Sequence, residues 1–134
     1  MKKYIVAIIV ILFVGIAVSA FANDRPKKMG DFEVRQFRID NSNYRLLVAD
    51  TPEKWEKGLM FYRSLDGASG MMFLFPDTQT RTFWNKNTFL NLELFWLQDD
   101  KIVGKSYLPS IETSREIVEV NSPEPANRVV EFVK

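Results

Sequence analysis

The chain has 134 residues, with 18 basic and 17 acidic side chains and neither cysteine nor histidine. Without those two residue types it forms no disulfide, no Ser–His–Asp or Cys–His nucleophile system, and no zinc or iron site built on His or Cys. The balanced charge leaves no basic excess to hold nucleic acid by counterion release. Carboxylate or lysine chemistry, oxygen-ligated cations and binding without chemistry remain.

Lys2 and Lys3 precede residues 4–22, which carry no charge, and Ala20-Phe21-Ala22 supplies the small-x-small pattern read by a signal peptidase. A retained single-span anchor is the other reading, because a helix over 4–22 at about 1.5 Å per residue nearly spans a bilayer core of ~30 Å. Both readings place the rest of the chain outside the cytoplasm, as periplasmic, secreted or membrane-anchored. Cleavage after Ala22 removes Lys2 and Lys3 and leaves a net charge of −1. Without cysteine there is no lipoprotein anchor. Residues 23–31 (NDRPKKMGD) read as a linker, and residues 32–134 as one β-rich domain.

Within that domain, residues 32–39 and 44–49 are strand-like runs around Asp40-Asn41-Ser42-Asn43, a hairpin with a four-residue loop. Tyr44, Leu46 and Val48 share one face. A short helix then starts at Asp50 or Thr51, with Pro52 in its first turn, and stops at Gly58 with Trp55 and Leu59 inward. Residues 71–75 form an apolar strand ending at Pro76, and 80–86 the next strand. Residues 91–97 and 101–108 make a second hairpin around Gln98-Asp99-Asp100, 109–113 a loop, 115–120 a strand, 122–127 a Pro-rich loop and 128–133 the last strand. About eight short strands at this spacing, with one short helix, predict a mainly β fold, a small sandwich or barrel-like domain preceded by the N-terminal hydrophobic helix.

Residues 58–97 hold nine of the 18 aromatics around a few isolated charges. The segments TPEKWEKGLMFYRSL (51–65), GMMFLFP (70–76), FWNKNT (83–88) and SPEPANRVVEF (122–132) resemble, in order and spacing, the bacterial and archaeal "domain of unknown function 192" family. The resemblance covers roughly residues 32–133. It implies a compact β-sandwich or barrel and no established activity. The family pattern usually has Met where this chain has Asn85 and Asp where it has Glu93. Members commonly continue past the last strand into a short tail, whereas this chain stops at Lys134.

The candidate ligand-binding residues are Trp84, Lys86, Asn87, Glu93 and Arg63. If the strand stays regular, Trp84, Lys86 and Thr88 share a face, so that Lys86 beside the Trp84 ring anchors an anion or a sugar hydroxyl. The competing reading is a core Trp84 with Lys86 reaching to solvent. Glu93 is a carboxylate within an apolar strand and needs a partner, Lys86 or Arg63, or else its pKa rises. Arg63 also reads as a holder of a loop carbonyl or carboxylate. Ser122-Pro123-Glu124-Pro125 is a rigid turn that can wall a cleft.

No catalytic residue is assigned, and neither a metal nor a cofactor is implied; Asp99-Asp100 before Lys101 reads as a turn, not a calcium loop. The expected function is an extracytoplasmic, non-catalytic binding or accessory domain for a small ligand, a glycan, a peptide or an envelope protein. The membrane is a partner only through an uncleaved N-terminus, and nucleic acid is not expected. Two rivals stay open. One is a carboxylate-dependent hydrolase of envelope polymers built on Glu93, with Lys86 or Arg63 as electrostatic support; the second carboxylate a glycosidase needs has no obvious place in the sequence, with Glu112, Glu116, Glu119 and Asp77 left open. The other is a structural or assembly protein whose aromatics all lie in the core.

Overall fold

The computed structural model describes residues 27–134, so the hydrophobic segment expected over residues 1–22 lies outside the described residues. Among the described residues no helix is long and apolar enough to cross a membrane. The domain is mainly β. A seven-stranded sheet has the order β1-β2-β3-β4-β9-β6-β7, and a separate two-stranded sheet pairs β5 with β8.

β1 (Lys28–Met29) pairs with β2 (Phe32–Ile39) from within the expected linker. β2 and β3 (Ser42–Ala49) form the first hairpin, but its loop has two residues, not four. Asp40 and Asn41 both adopt positive φ, 48° and 66°, as a primed two-residue turn requires. Asx side chains tolerate that region, so the tighter turn costs little.

β3 pairs with β4 (Gly70–Gln79) in parallel, a pairing the hairpin-by-hairpin reading does not foresee. Parallel neighbours need a crossover, and α1 (Pro52–Lys57) supplies part of it. The Thr51 side chain caps α1 by accepting from the Lys54 N–H, Pro52 opens it, and Gly58 at φ 47° ends it. The Trp55 indole N–H donates to the carbonyls of Ala49 and Leu74 at 3.0 and 3.1 Å. One side chain thereby clamps the helix across β3 and β4.

β4 does not end at Pro76. Its pairing with β9 (Ala126–Val133) jumps from Leu74↔Arg128 to Gln79↔Ala126, a bulge that leaves Pro76 without a ladder partner. Proline lacks the donor that a ladder position uses, so it is tolerated there. Arg81 closes the bulge: its guanidinium donates to the Ala126 carbonyl and to the carbonyl and Oδ1 of Asp77.

β5 (Thr82–Trp84) pairs with β8 (Glu119–Asn121). β6 (Leu92–Gln98) and β7 (Lys101–Leu108) form the second hairpin, and β6 also pairs with β9, which is therefore central. A second helix, α2 (Ile111–Ser114), occupies the expected loop after β7. Ser110 Oγ caps it by accepting from the Thr113 N–H.

The sheet buries side chains on both faces. Phe32, Leu47, Met71, Phe73, Leu94, Trp96 and Val129 belong to the larger cluster, against which Trp55, Tyr62, Phe83 and Val120 pack. Trp96 is fully buried and donates its indole N–H to Ser106 Oγ at 2.9 Å. The opposite face carries a smaller cluster, Ile39, Leu46, Met72, Leu97 and Val130, with Tyr44, Phe95 and Phe132 partly buried against it.

Candidate functional site

Side chains of β9 alternate between these faces. Val129 belongs to the larger cluster and Val130 to the smaller one, with Phe132 packed against it, so Glu131 points to the same side as Val129. In register, Glu131 lies opposite Met71 of β4 and Leu94 of β6. Neither neighbour offers a hydrogen bond. Glu131 is 5% exposed, and its Oε2 has no partner among the described residues. Burial pushes its carboxyl from the ordinary 4.5 up to about 8, because the low-dielectric interior disfavours the charged form. Gly70 sits against this residue: a Cβ there would lie 1.8 Å from the Glu131 carbonyl oxygen, so only glycine lets β4 begin so close to β9.

Glu131 borders a cleft of about 440 Å³ between α1, the β4 bulge and β5. Five aromatic side chains line it: Trp55, Phe73, Phe75, Phe83 and Trp84. Phe73 and Phe83 meet edge-on at 4.8 Å between centroids, and Trp55 and Phe75 lie 4.9 Å apart. Both cations at the cleft are already engaged. Arg81 is 2.7 Å from Asp77 Oδ1 and stacks 3.9 Å from the Phe75 centroid, while Lys57 pairs with Asp31 at 3.3 Å. Glu56 also lines the cleft and has no ion-pair partner among the described residues.

A shallower depression adjoins the cleft and shares Glu56, Lys57, Met60 and Trp84 with it. Here three of the sequence candidates come together. Trp84 is 42% exposed, the Lys86 ammonium lies 5.2 Å from its ring centroid, and Asn87 borders both. The strand is not regular through Thr88, because β5 ends at Trp84 and Asn87 turns the chain at φ 53°. Phe61, at φ 68°, donates its backbone N–H to the Asn87 carbonyl at 2.9 Å. A left-handed phenylalanine is an uncommon conformation, and such strain clusters at ligand sites.

The remaining candidates lie elsewhere. Glu93 stands opposite Phe132 on the far face of the sheet, and its ion-pair partner is Lys134 at 3.8 Å, neither Lys86 nor Arg63. Arg63 is exposed, bonds Glu112 at 2.8 Å and covers the Phe89 ring at 4.3 Å. That hydrogen bond, then the charge of Glu112, raises the Arg63 pKa. Asn85, where the family pattern usually has Met, does not line the cleft or the depression beside it. It is fully buried, donates to the Pro109 carbonyl and Ser114 Oγ at 2.9 Å, and accepts from the Val118 N–H at 2.8 Å. It fixes the loop that carries α2. The Pro-rich turn does not line the cleft; Ser122 Oγ accepts from the Arg81 N–H. Among the described residues no group of three or more Asp, Glu, His or Cys stands close enough to hold a metal ion.

Sequence reasoning missed Glu131 although the signal was present. A lone acid in the apolar run Val129-Val130-Glu131-Phe132 has the same pattern that singled out Glu93 in Leu92-Glu93-Leu94.

The model of the DUF192 family, described as "Uncharacterized ACR", matches residues 35–134. No curated protein matches the chain. A crystal structure from Sinorhizobium meliloti, described as a candidate transcription regulator, is 30% identical with a TM-score of 0.58, over 75% of this chain and 78% of that one. A protein of unknown function from Novosphingobium aromaticivorans is 19% identical with a TM-score of 0.65, over 83% and 82% of the two chains, and is alike in fold.

Proposed function

This chain belongs to the DUF192 family, and from that premise we propose that it is a non-catalytic binding domain whose ligand enters the aromatic cleft and meets Glu131. One observation carries the reading: a carboxyl oxygen without a partner among the described residues, in a residue 5% exposed, borders a cleft of about 440 Å³. A buried polar atom left unsatisfied costs roughly 1–3 kcal/mol, and a ligand that hydrogen-bonds it removes that penalty. Aromatic walls with few convergent polar groups are the usual make-up of a ligand site. The leader reading adds that the domain works outside the cytoplasm, where glycans, peptides and other envelope components are the available ligands.

A second reading rests on Glu56, which lines the same cleft. A carboxyl held protonated by burial beside a solvated carboxylate is the pairing that acid–base hydrolysis uses. Nucleic-acid binding, suggested by the description of the S. meliloti relative, finds no basic excess to support it.

The test is a titration of the full chain with glycans, peptidoglycan fragments and short peptides, followed by indole fluorescence and melting temperature. Glu131→Gln and Trp84→Ala are run alongside. A ligand that shifts the wild type and loses its effect in both variants supports the cleft. If the ligand instead acts undiminished on both variants and fails on Glu93→Gln, the site lies on the opposite face of the sheet. Turnover of a glycan that is abolished in Glu131→Gln favours the second reading.

A further inference from the structure

We infer that the cleft selects an organic cation, an alkylammonium group whose N–H donates to Glu131 while its carbon-bound hydrogens lie against the aromatic walls. This deepens the cleft reading and rests on it.

The first support is the composition of the cleft. Among the described residues, five aromatic rings line a space with one unpartnered carboxyl oxygen at its edge. Ring faces carry negative potential and attract cations within about 6 Å of the centroid. Rings of this region already do so for the protein's own cations: Arg81 lies 3.9 Å from Phe75 and Lys86 lies 5.2 Å from Trp84. An anion would meet the same negative ring faces and the Glu131 carboxyl.

The second support is the charge inventory. Among the described residues, the titratable or charged side chains that line the cleft with Glu131 are Glu56 and Lys57 from α1 and Arg81 beyond the β4 bulge. The strands flanking Glu131 present Met71 and Leu94. Arg81 and Lys57 are paired with Asp77 and Asp31, so neither is free to neutralise Glu131 or to take up an incoming acid. Glu56 adds a carboxylate without an ion-pair partner among the described residues. The charge missing from this inventory is an unpaired cation.

Binding then has a defined proton balance. Empty, Glu131 holds its proton through most of the neutral range, since burial has pushed it to about 8. As the ammonium enters, the carboxyl O–H breaks, its proton passes to the buffer, and the carboxylate accepts from the ligand N–H. Apparent affinity therefore rises with pH, about tenfold per unit below the empty-state value. A neutral ligand that only hydrogen-bonds the acid releases no proton.

The experiment titrates the full chain with n-butylammonium chloride, n-butanol and sodium butyrate. Three indole N–H signals are followed by NMR, and calorimetry in phosphate and in maleate, neither of which carries an ammonium group, counts protons. Trp55 and Trp84 line the cleft, whereas Trp96 is buried outside it and serves as the internal reference. The expected result has four parts. Butylammonium moves the Trp55 and Trp84 signals and leaves that of Trp96. Its affinity rises about tenfold from pH 6 to pH 7, close to one proton is released, and Glu131→Gln loses at least tenfold in affinity together with the proton release. Each variant is accepted only if its spectrum keeps the wild-type dispersion. If n-butanol binds as well as butylammonium, or affinity is flat between pH 6 and pH 7, the ammonium inference is overturned while the cleft reading stands. If none of the three probes moves Trp55 or Trp84, the inference falls. The cleft reading falls with it only if the glycan and peptide panel is also silent.

Discussion

Replacing Glu131 with glutamine should stabilise the protein at alkaline pH and change little at acid pH. The carboxyl is pushed to about 8 in the folded chain against 4.5 when free. Between those values the folded state holds a proton that the unfolded state has lost. Unfolding releases it, so stability falls as pH rises. The contribution is intact below the unfolded value and is lost as pH climbs through the folded one. One pKa unit corresponds to about 1.4 kcal/mol, so the loss between pH 5 and pH 8 is about 3 kcal/mol. Glutamine keeps the shape without the ionisation and removes this slope. Urea unfolding of wild type and Glu131→Gln at half-unit steps from pH 5 to pH 8.5 measures it as a difference, in which the other carboxylates cancel. The two curves should run together near pH 5 and separate by about 3 kcal/mol at pH 8. Parallel curves across the range would refute the placement of Glu131 in a low-dielectric site.

The other contacts of the site and its surroundings are open to the same kind of measurement. Asn85→Ala strips partners from the part-buried Val118 N–H and Pro109 carbonyl and should cost about 2 kcal/mol in urea unfolding. Gly70→Ala sets a Cβ 1.8 Å from the Glu131 carbonyl oxygen, so the β4–β9 pairing cannot form as it stands; loss of soluble folded protein by circular dichroism is expected. Glu93→Gln, whose partner Lys134 is solvent-exposed, should lie within about 0.5 kcal/mol of wild type in the same denaturation. Trp84→Ala should leave the fold intact, since the side chain is 42% exposed, while quenching the response to any cleft ligand in the fluorescence titration.

How far the site was legible in the sequence differs from residue to residue. Trp84 and Lys86 are two positions apart, and their proximity is a local fact that survives the early end of β5. Glu93 and Glu131 are indistinguishable as patterns: each is a single acid in an apolar strand. Only the register of β6 against β9 decides between them. It sets Leu94 opposite Glu131 and Phe132 opposite Glu93, which puts the two acids on opposite faces. A strand's neighbours are chosen by the whole sheet, and a period of two cannot say which face another layer will cover.

What the sequence determined by itself is local in origin. The mainly β character, a turn within Asp40–Asn43, a helix start at Asp50 or Thr51 with Pro52 in its first turn, the Gly58 stop and the restriction to chemistry without Cys or His all come from single residues and short-range pairs. The tertiary structure decided the parallel pairing of β3 with β4, the bulge around Pro76 and the central place of β9. Those three features build the cleft and bury Glu131 at its edge. They depend on contacts between residues dozens of positions apart, whose closure is repaid only when the whole sheet and its core form together.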